Sequence, residues 1–287
     1  MDKRLTWAGG AVLVIALVYW LFQEGAVEAS DVQRPLSSAR FDQNPFGVEM
    51  PEAWQAELRA AIARAPQVSL LEPAAPGIAE EVLKSVSWIQ PETVRAELKL
   101  PDGIAVDYLP RQARYLLFQN GRPAGVLASD GCMLPAGLPA EVLGQLMQIE
   151  LEPGDVVPAP GRPLASRLAQ EALRVFPEIV AIEEVSGLVV RRLRPMSDKL
   201  GQVRSSAPGL RFVLHDGREL DWGRSDLSSA PNEPDSELKA ARLGSVMRQY
   251  PGLAGVQAVV LHHEGETLVL DATYRQLPFD GVVLRPR

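Results

Sequence analysis

One uncharged apolar run, Leu5 to Phe22, constrains this chain more than any other feature of its sequence. As an α-helix the run would span about 27 Å, close to the roughly 30 Å hydrocarbon core of a bilayer. Lys3 and Arg4 precede it, and basic residues stay on the cytoplasmic side of a membrane. The sequence therefore predicts a cytoplasmic tail at 1–4, a transmembrane helix at 5–22 and an extracytoplasmic location for the rest, in a single-pass protein of the inner (plasma) membrane.

A cleaved signal peptide is the alternative interpretation of the same run. Val27-Glu28-Ala29 is a tolerable cleavage site. The apolar run is longer than the roughly 7–15 residues of a signal-peptide core, which favours a retained anchor. Cleavage stays open as an alternative.

Composition argues against several classes of protein. With 29 basic and 36 acidic residues the formal net charge is −7, whereas nucleic-acid binding calls for a basic patch. The single cysteine, Cys132, rules out an intramolecular disulfide, so stability must come from a buried core. No HExxH, CxxC, GxSxG or glycine-rich phosphate loop is present. We therefore expect no cofactor, no metal site and no small-molecule substrate.

After a linker at 23–45, the stretch 46–110 predicts a compact α+β domain. Its expected elements are a strand at 46–50, helices at 51–65 and 76–87, and strands at 93–100 and 104–108. Two helices would cover one face of a three-stranded sheet. Trp88, at the end of the second helix, is expected in the core.

The remaining chain, 111–284, predicts a β-rich domain with an antiparallel sheet and flanking helices. One helix is expected at 164–176, ended by Pro177, and a second at 238–250, capped by Asp235. Strands are expected at 179–185, 188–193, 210–215, 219–222, 257–262 and 267–274. The predicted fold class is α+β throughout.

Short motifs follow one another in a recognisable order along both domains. They are Ser87-Trp88-Ile89, Val94-Arg95, Pro101, Ile104, Val106, Leu127, Asp130-Gly131, Leu138-Pro139, the run from Leu214 to Gly223, Leu243, Val246, Met247, Asp271 to Tyr274 and Asp280 to Val283. With the apolar N-terminal run, this order resembles the FtsQ/DivIB family of bacterial cell-division proteins. Departures from the family pattern are Tyr108, Leu109 and Arg111 after the return strand, and Thr273 where the family has arginine.

The resemblance implies a POTRA domain at 46–110, an FtsQ/DivIB-type β domain at 111–284 and a scaffold rather than an enzyme. Its implied partners are membrane proteins of the divisome that resemble FtsB and FtsL. A strand at a sheet edge has unpaired backbone groups that can pair with a partner's strand. The implied partner-binding residues lie on the closing strand and the tail: Leu268, Leu270, Ala272, Tyr274, Val282 and Val283. Tyr274 would be the aromatic anchor, or it would simply pack on its own sheet.

Two further functions stay open. A membrane-anchored envelope hydrolase would need paired carboxylates, and the candidates are Glu183 with Glu184 and Asp216 with Glu219. A POTRA-containing assembly or secretion component would carry several such domains or a barrel. A cleft that gathers convergent ionisable side chains would favour the enzyme over the scaffold.

Overall fold

The computed structural model describes residues 50–66, 73–99, 103–152, 154–196, 209–228, 233–263 and 266–280. The chain divides into two compact units, and the division falls between Pro110 and Arg111. The predicted elements at 5–22 and 46–49 and the predicted site residues Val282 and Val283 lie outside the described residues.

The first unit consists of two helices and a two-stranded antiparallel sheet within its described residues. The helices are α1 (Glu52–Ala63) and α2 (Ala75–Lys84), and the strands are β1 (Arg95–Lys99) and β2 (Gly103–Asp107). Trp54 and Trp88 are fully buried and stack with their ring centroids 5.4 Å apart. The Trp88 Nε1–H donates to the Trp54 carbonyl at 3.2 Å, which satisfies the indole inside the core. The prediction that Trp88 is a core residue is confirmed.

The second unit contains one large sheet and three α-helices in the part of it that the structure describes. Its strands are β3 (Ala113–Gln119), β4 (Arg122–Ala128), β5 (Met133–Leu134), β6 (Met147–Glu150), β7 (Val190–Pro195), β8 (Leu210–Leu214), β9 (Glu219–Gly223), β10 (Ala258–Val260) and β11 (Leu268–Leu270). Its helices are α3 (Ala140–Gln145), α4 (Arg167–Ser186) and α5 (Ser236–Gln249).

The sheet of the second unit is mixed. Across the described residues its strand order is β11-β10-β9-β8-β7-β6-β3-β4-β5. The β3–β6, β6–β7 and β9–β10 pairs are parallel, and the remaining pairs are antiparallel. Helix α4 connects β6 to β7 and helix α5 connects β9 to β10, so two strand–helix–strand crossovers produce parallel pairs.

Helix α4 continues through Pro177, so the prediction of a helix ending there and a strand at 179–185 is wrong. A proline inside a helix removes one backbone hydrogen bond. Val175, Ile179 and Ile182 recur at spacings of four and three and are all buried, and each buried aliphatic side chain contributes about 1.5–3 kcal/mol. Burial on both sides of Pro177 offsets the lost bond, and the helix ends instead at Gly187, whose φ is 69°.

One sheet face carries the core of the second unit. Side chains at alternate positions pack with α4 and α5 in a single hydrophobic cluster, and they include Leu193, Phe212, Leu220, Trp222, Val259 and Val269. Phe212 and Trp222 stack with ring centroids 5.4 Å apart. The predicted cap of α5 is confirmed, because an Asp235 carboxylate oxygen accepts the Leu238 N–H at 2.7 Å.

The fold class predicted from the sequence is wrong as stated. The second unit has a mixed sheet and not an antiparallel one, because the β3–β6, β6–β7 and β9–β10 pairs are parallel. Among the described residues, no helix has both the length and the apolar character needed to cross a bilayer. What the structure supports is an α+β chain with a large mixed sheet.

Candidate partner-binding surface

Strand β11 forms one edge of the large sheet. It pairs antiparallel with β10, with Val269 opposite Val259 and Leu268 opposite Val260. Val269 is fully buried on the helix-covered face, so its neighbours Leu268 and Leu270 lie on the opposite face, where they are half-buried. The structure gives a shorter strand than the sequence predicted, because β11 ends at Leu270 and 271–274 form a turn.

A charged network lies on the same sheet face as Leu268 and Leu270. Arg211 lies opposite Asp221 in the register of β8 and β9, and two guanidinium nitrogens of Arg211 contact the two carboxylate oxygens of Asp221. A third nitrogen of Arg211 lies 3.0 Å from the carboxylate of Glu219. The hydrogen bond with Asp221 raises the pKa of Arg211. Bidentate pairing of this kind fixes the planes of both groups and keeps the network rigid.

Tyr274 adjoins this network from the turn after β11. Its hydroxyl lies 3.4 Å from the Glu219 carboxylate, and 55% of the residue is exposed. Its φ of 56° places a bulky non-glycine residue in the left-handed region, which costs about 1–2 kcal/mol. A strained and exposed aromatic residue is typical of functional positions, because packing alone would not select it.

Asp271 holds the turn that carries Tyr274. One carboxylate oxygen of Asp271 accepts hydrogen bonds from the Thr273 N–H at 2.8 Å, the Thr273 hydroxyl at 2.8 Å and the Arg275 N–H at 2.9 Å. The Tyr274 N–H donates to the Asp271 carbonyl at 2.8 Å. The backbone bond from Arg275, followed by the hydroxyl bond from Thr273, lowers the pKa of Asp271. The turn is thus fixed from both sides of Tyr274.

We expect Asp271→Ala to release this turn while Asp271→Asn preserves it, since asparagine keeps an acceptor oxygen at the same position. Asp271→Ala removes three hydrogen bonds at once, so amide exchange at Thr273 and Arg275 should quicken by about tenfold or more relative to the wild type. Hydrogen exchange followed by NMR measures this directly. An Asp271→Ala variant that exchanges as slowly as the wild type would show that this side chain does not hold the turn.

The chain returns along the outer side of β11 after this turn. The Leu277 N–H donates to the Val269 carbonyl at 2.8 Å, and the Asp271 N–H donates to the Arg275 carbonyl at 2.9 Å. Gln276 forms an antiparallel bridge with Leu270 in which the flanking residues make the hydrogen bonds. The N–H and C=O of Gln276 therefore point away from β11. The outermost backbone of this edge therefore belongs to 275–277 and not to β11.

The return segment is attached to the end of helix α5. The Tyr250 hydroxyl and the Gln249 side-chain amide, the latter at 3.0 Å, both donate to the Pro278 carbonyl. Leu277 and Phe279 are half-buried against the core cluster. The edge is therefore held by the body of the unit and is ready to pair with another strand without rearrangement.

The structure brings together three of the predicted site residues and separates a fourth. Leu268 and Leu270 share the sheet face with the Arg211 network, and Tyr274 contacts that network through its hydroxyl. Ala272 is exposed in the turn and is not part of strand β11. Sequence reasoning missed Arg211 and Gln276, although the alternation along 210–214 places Arg211 on the polar face of its strand.

The carboxylates considered for a hydrolase serve structural contacts. The Glu183 carboxylate accepts the Val190 N–H at 2.7 Å, Asp216 pairs with Arg218, and Glu219 pairs with Arg211. Within the described ranges, no group of three or more His, Cys, Asp or Glu side chains is arranged to hold a metal ion.

Comparison with known proteins adds no family assignment, since no protein-family model matches this chain and a search of curated proteins found no match either.

Proposed function

We propose that this chain is a non-enzymatic scaffold of bacterial cell division that resembles FtsQ/DivIB. It would link early and late division proteins during septum formation through contacts outside the cytoplasm. A plasma-membrane location at the division site is part of the proposal, and its support is the apolar sequence at 5–22.

The observation that carries the proposal is the exposed Tyr274, held in a strained conformation beside a sheet edge. A tyrosine presented in this way supplies a large rigid contact area that loses little conformational entropy on binding. Leu268 and Leu270 extend the apolar part of the surface, and the Arg211 network borders it. A strand from the partner would pair with the outward backbone at Gln276 and pack over Tyr274.

The partner in this proposal is the extracytoplasmic part of an FtsB-like protein, bound together with an FtsL-like protein. Strand addition suits such a partner, because main-chain hydrogen bonds supply affinity and side-chain pockets supply specificity.

The proposal is tested in cells of the source bacterium. A fluorescent fusion of the full chain should concentrate at mid-cell, and depletion of the protein should give filaments without septa. Expression of the Tyr274→Ala variant should fail to restore division, while the control Val156→Ala, a substitution of a residue 81% exposed elsewhere in the unit, should restore it. A diffuse fusion, or normal division on depletion, would contradict the proposal.

A further inference from the structure

A groove of about 410 Å³ lies between helices α4 and α5, on the helix-covered side of the second unit. Its lining is mostly aliphatic and includes Ala181, Ile182, Val185, Ala240, Leu243 and Met247. Val185 is 90% exposed. A concave apolar surface of this kind is typical of a contact site for another helix.

Opposite charges mark the two ends of the groove. Glu237 lies in the first turn of α5 and Arg248 in its last turn, and both line the groove and are exposed. They are eleven residues apart, which corresponds to about 16 Å along a helix. Glu178 of α4 also lines the groove, but its carboxylate is engaged by the Trp222 Nε1–H at 2.7 Å and the Asp226 N–H at 2.9 Å.

The side chains in the middle of α5 are small where the helix lines the groove. Ala240 and Gly244 lie on the helix stripe that joins Glu237 to Arg248, at spacings of three and four residues. A Cβ atom built on Gly244 would approach nothing nearer than the flexible end of Arg248, at 3.8 Å. Glycine costs about 0.5–1 kcal/mol relative to alanine inside a helix, and packing within the described chain gives no reason for that cost.

We propose that α5 of one copy packs antiparallel against α5 of a second copy across this groove. The arrangement of charges selects this occupant, because a two-fold rotation places Glu237 of each copy against Arg248 of the other. The rotation axis then passes beside Gly244, where small side chains allow two helices to approach closely. A helix of an unrelated protein would not need the charges to be self-complementary.

The dimer is expected to be weak. One helix pair in contact over about 16 Å makes a smaller interface than the roughly 1,600 Å² of a standard stable one, so covalent trapping is a suitable assay. The inference uses only the contacts of the second unit and does not rest on the proposed function.

Disulfide trapping tests the proposal with the full chain, kept in mild detergent because of the apolar run at 5–22. In a Cys132→Ser background, Gly244→Cys is oxidised and separated on a non-reducing gel. Val156→Cys is the control, since Val156 is exposed away from the groove. Two cysteines beside a two-fold axis can meet disulfide geometry, so we expect about tenfold more covalent dimer from Gly244→Cys than from the control. Equal yields would overturn the proposal, including the case in which both variants stay monomeric because the groove takes another protein.

Charge exchange supplies the second arm of the test. In the Gly244→Cys background, Glu237→Arg or Arg248→Glu alone should lose most of the cross-linked dimer, because each creates two like-charge contacts across the axis. The double variant Glu237→Arg, Arg248→Glu should recover it. A double variant no better than the single ones, or single variants that cross-link as well as the parent, would overturn the antiparallel arrangement. Far-UV circular dichroism checks that all variants are folded.

Discussion

Tyr274→Ala is expected to weaken binding of an FtsB extracytoplasmic segment to this chain by about 30-fold, or about 2 kcal/mol. The ring is exposed and its hydroxyl lies 3.4 Å from Glu219, so removing it takes away contact area and not core packing. Titration calorimetry with the segment from the same genome measures the affinity. In urea unfolding of the free protein, the free energy of unfolding of the variant should differ from that of the wild type by no more than about 0.5 kcal/mol, as for other surface substitutions.

Tyr274→Phe is the matched control for this prediction. It keeps the ring and removes only the hydroxyl, whose 3.4 Å contact with Glu219 is long for a hydrogen bond. We expect it to bind within about threefold of the wild type, since the rigid ring supplies the contact area. If Tyr274→Ala binds as tightly as the wild type, Tyr274 is not part of the interface.

Lys239→Met is expected to destabilise the second unit by about 1–3 kcal/mol, because it removes two hydrogen bonds of a fully buried ammonium while Glu233 keeps its ion pair with Arg224. Lys239 is fully buried in the first turn of α5, where its ammonium donates to the Arg224 carbonyl at 2.7 Å and to the Glu233 carboxylate at 3.2 Å. The same ammonium lies 5.4 Å from the Trp222 ring centroid. Urea unfolding followed by far-UV circular dichroism and by the fluorescence of a variant that keeps Trp222 as its only tryptophan measures the loss.

The control for Lys239 is Lys84→Met in the first unit. Lys84 makes ion pairs with Glu80 and Glu81 on an exposed helix surface, and such pairs contribute little to stability. Combining Lys239→Met with Glu233→Gln should lower the stability further, because Glu233 also pairs with Arg224 at 3.0 Å. A loss below about 1 kcal/mol for Lys239→Met would show that the buried cluster does not hold the start of α5.

Gly223, at the end of β9, lies against the buried ion pair of Lys239 and Glu233, and a residue with a side chain would not fit there. Its φ is 87°, and a Cβ atom there would collide with the Glu233 carboxylate and would lie 2.6 Å from the Cβ of His262. The sequence motif from Leu214 to Gly223 thus has a physical basis, since a left-handed residue without a side chain lets Glu233 reach the cluster.

Helices, strands and caps that depend on residues close together in the sequence were predicted correctly. Apolar spacing predicted α1 and α5, the strand patterns at 210–215 and 219–222 predicted β8 and β9, and Asp235 predicted a helix start. These features depend on residues within a few positions of one another.

Non-local features could not be predicted in the same way. Pro177 favours a helix end in isolation, and only the sheet beneath α4 supplies the burial that carries the helix past it. Parallel pairing of β6 with β7 follows from that helix, and the parallel β3–β6 and β9–β10 pairs depend on which strands become neighbours, which no local pattern indicates. The contact between Tyr274 and Glu219 joins residues 55 positions apart, and no spacing rule indicates it.

Hydrogen exchange of the full chain, with and without the FtsB segment, tests most directly whether the edge at 268–280 is the partner-binding surface. Added strands protect the backbone amides with which they pair, so we predict slower exchange at Gln276 and its neighbours in the return segment, and around Tyr274. The groove between α4 and α5 should exchange at the same rate in both samples. Unchanged exchange over 268–280, with protection elsewhere in the chain, would contradict the account.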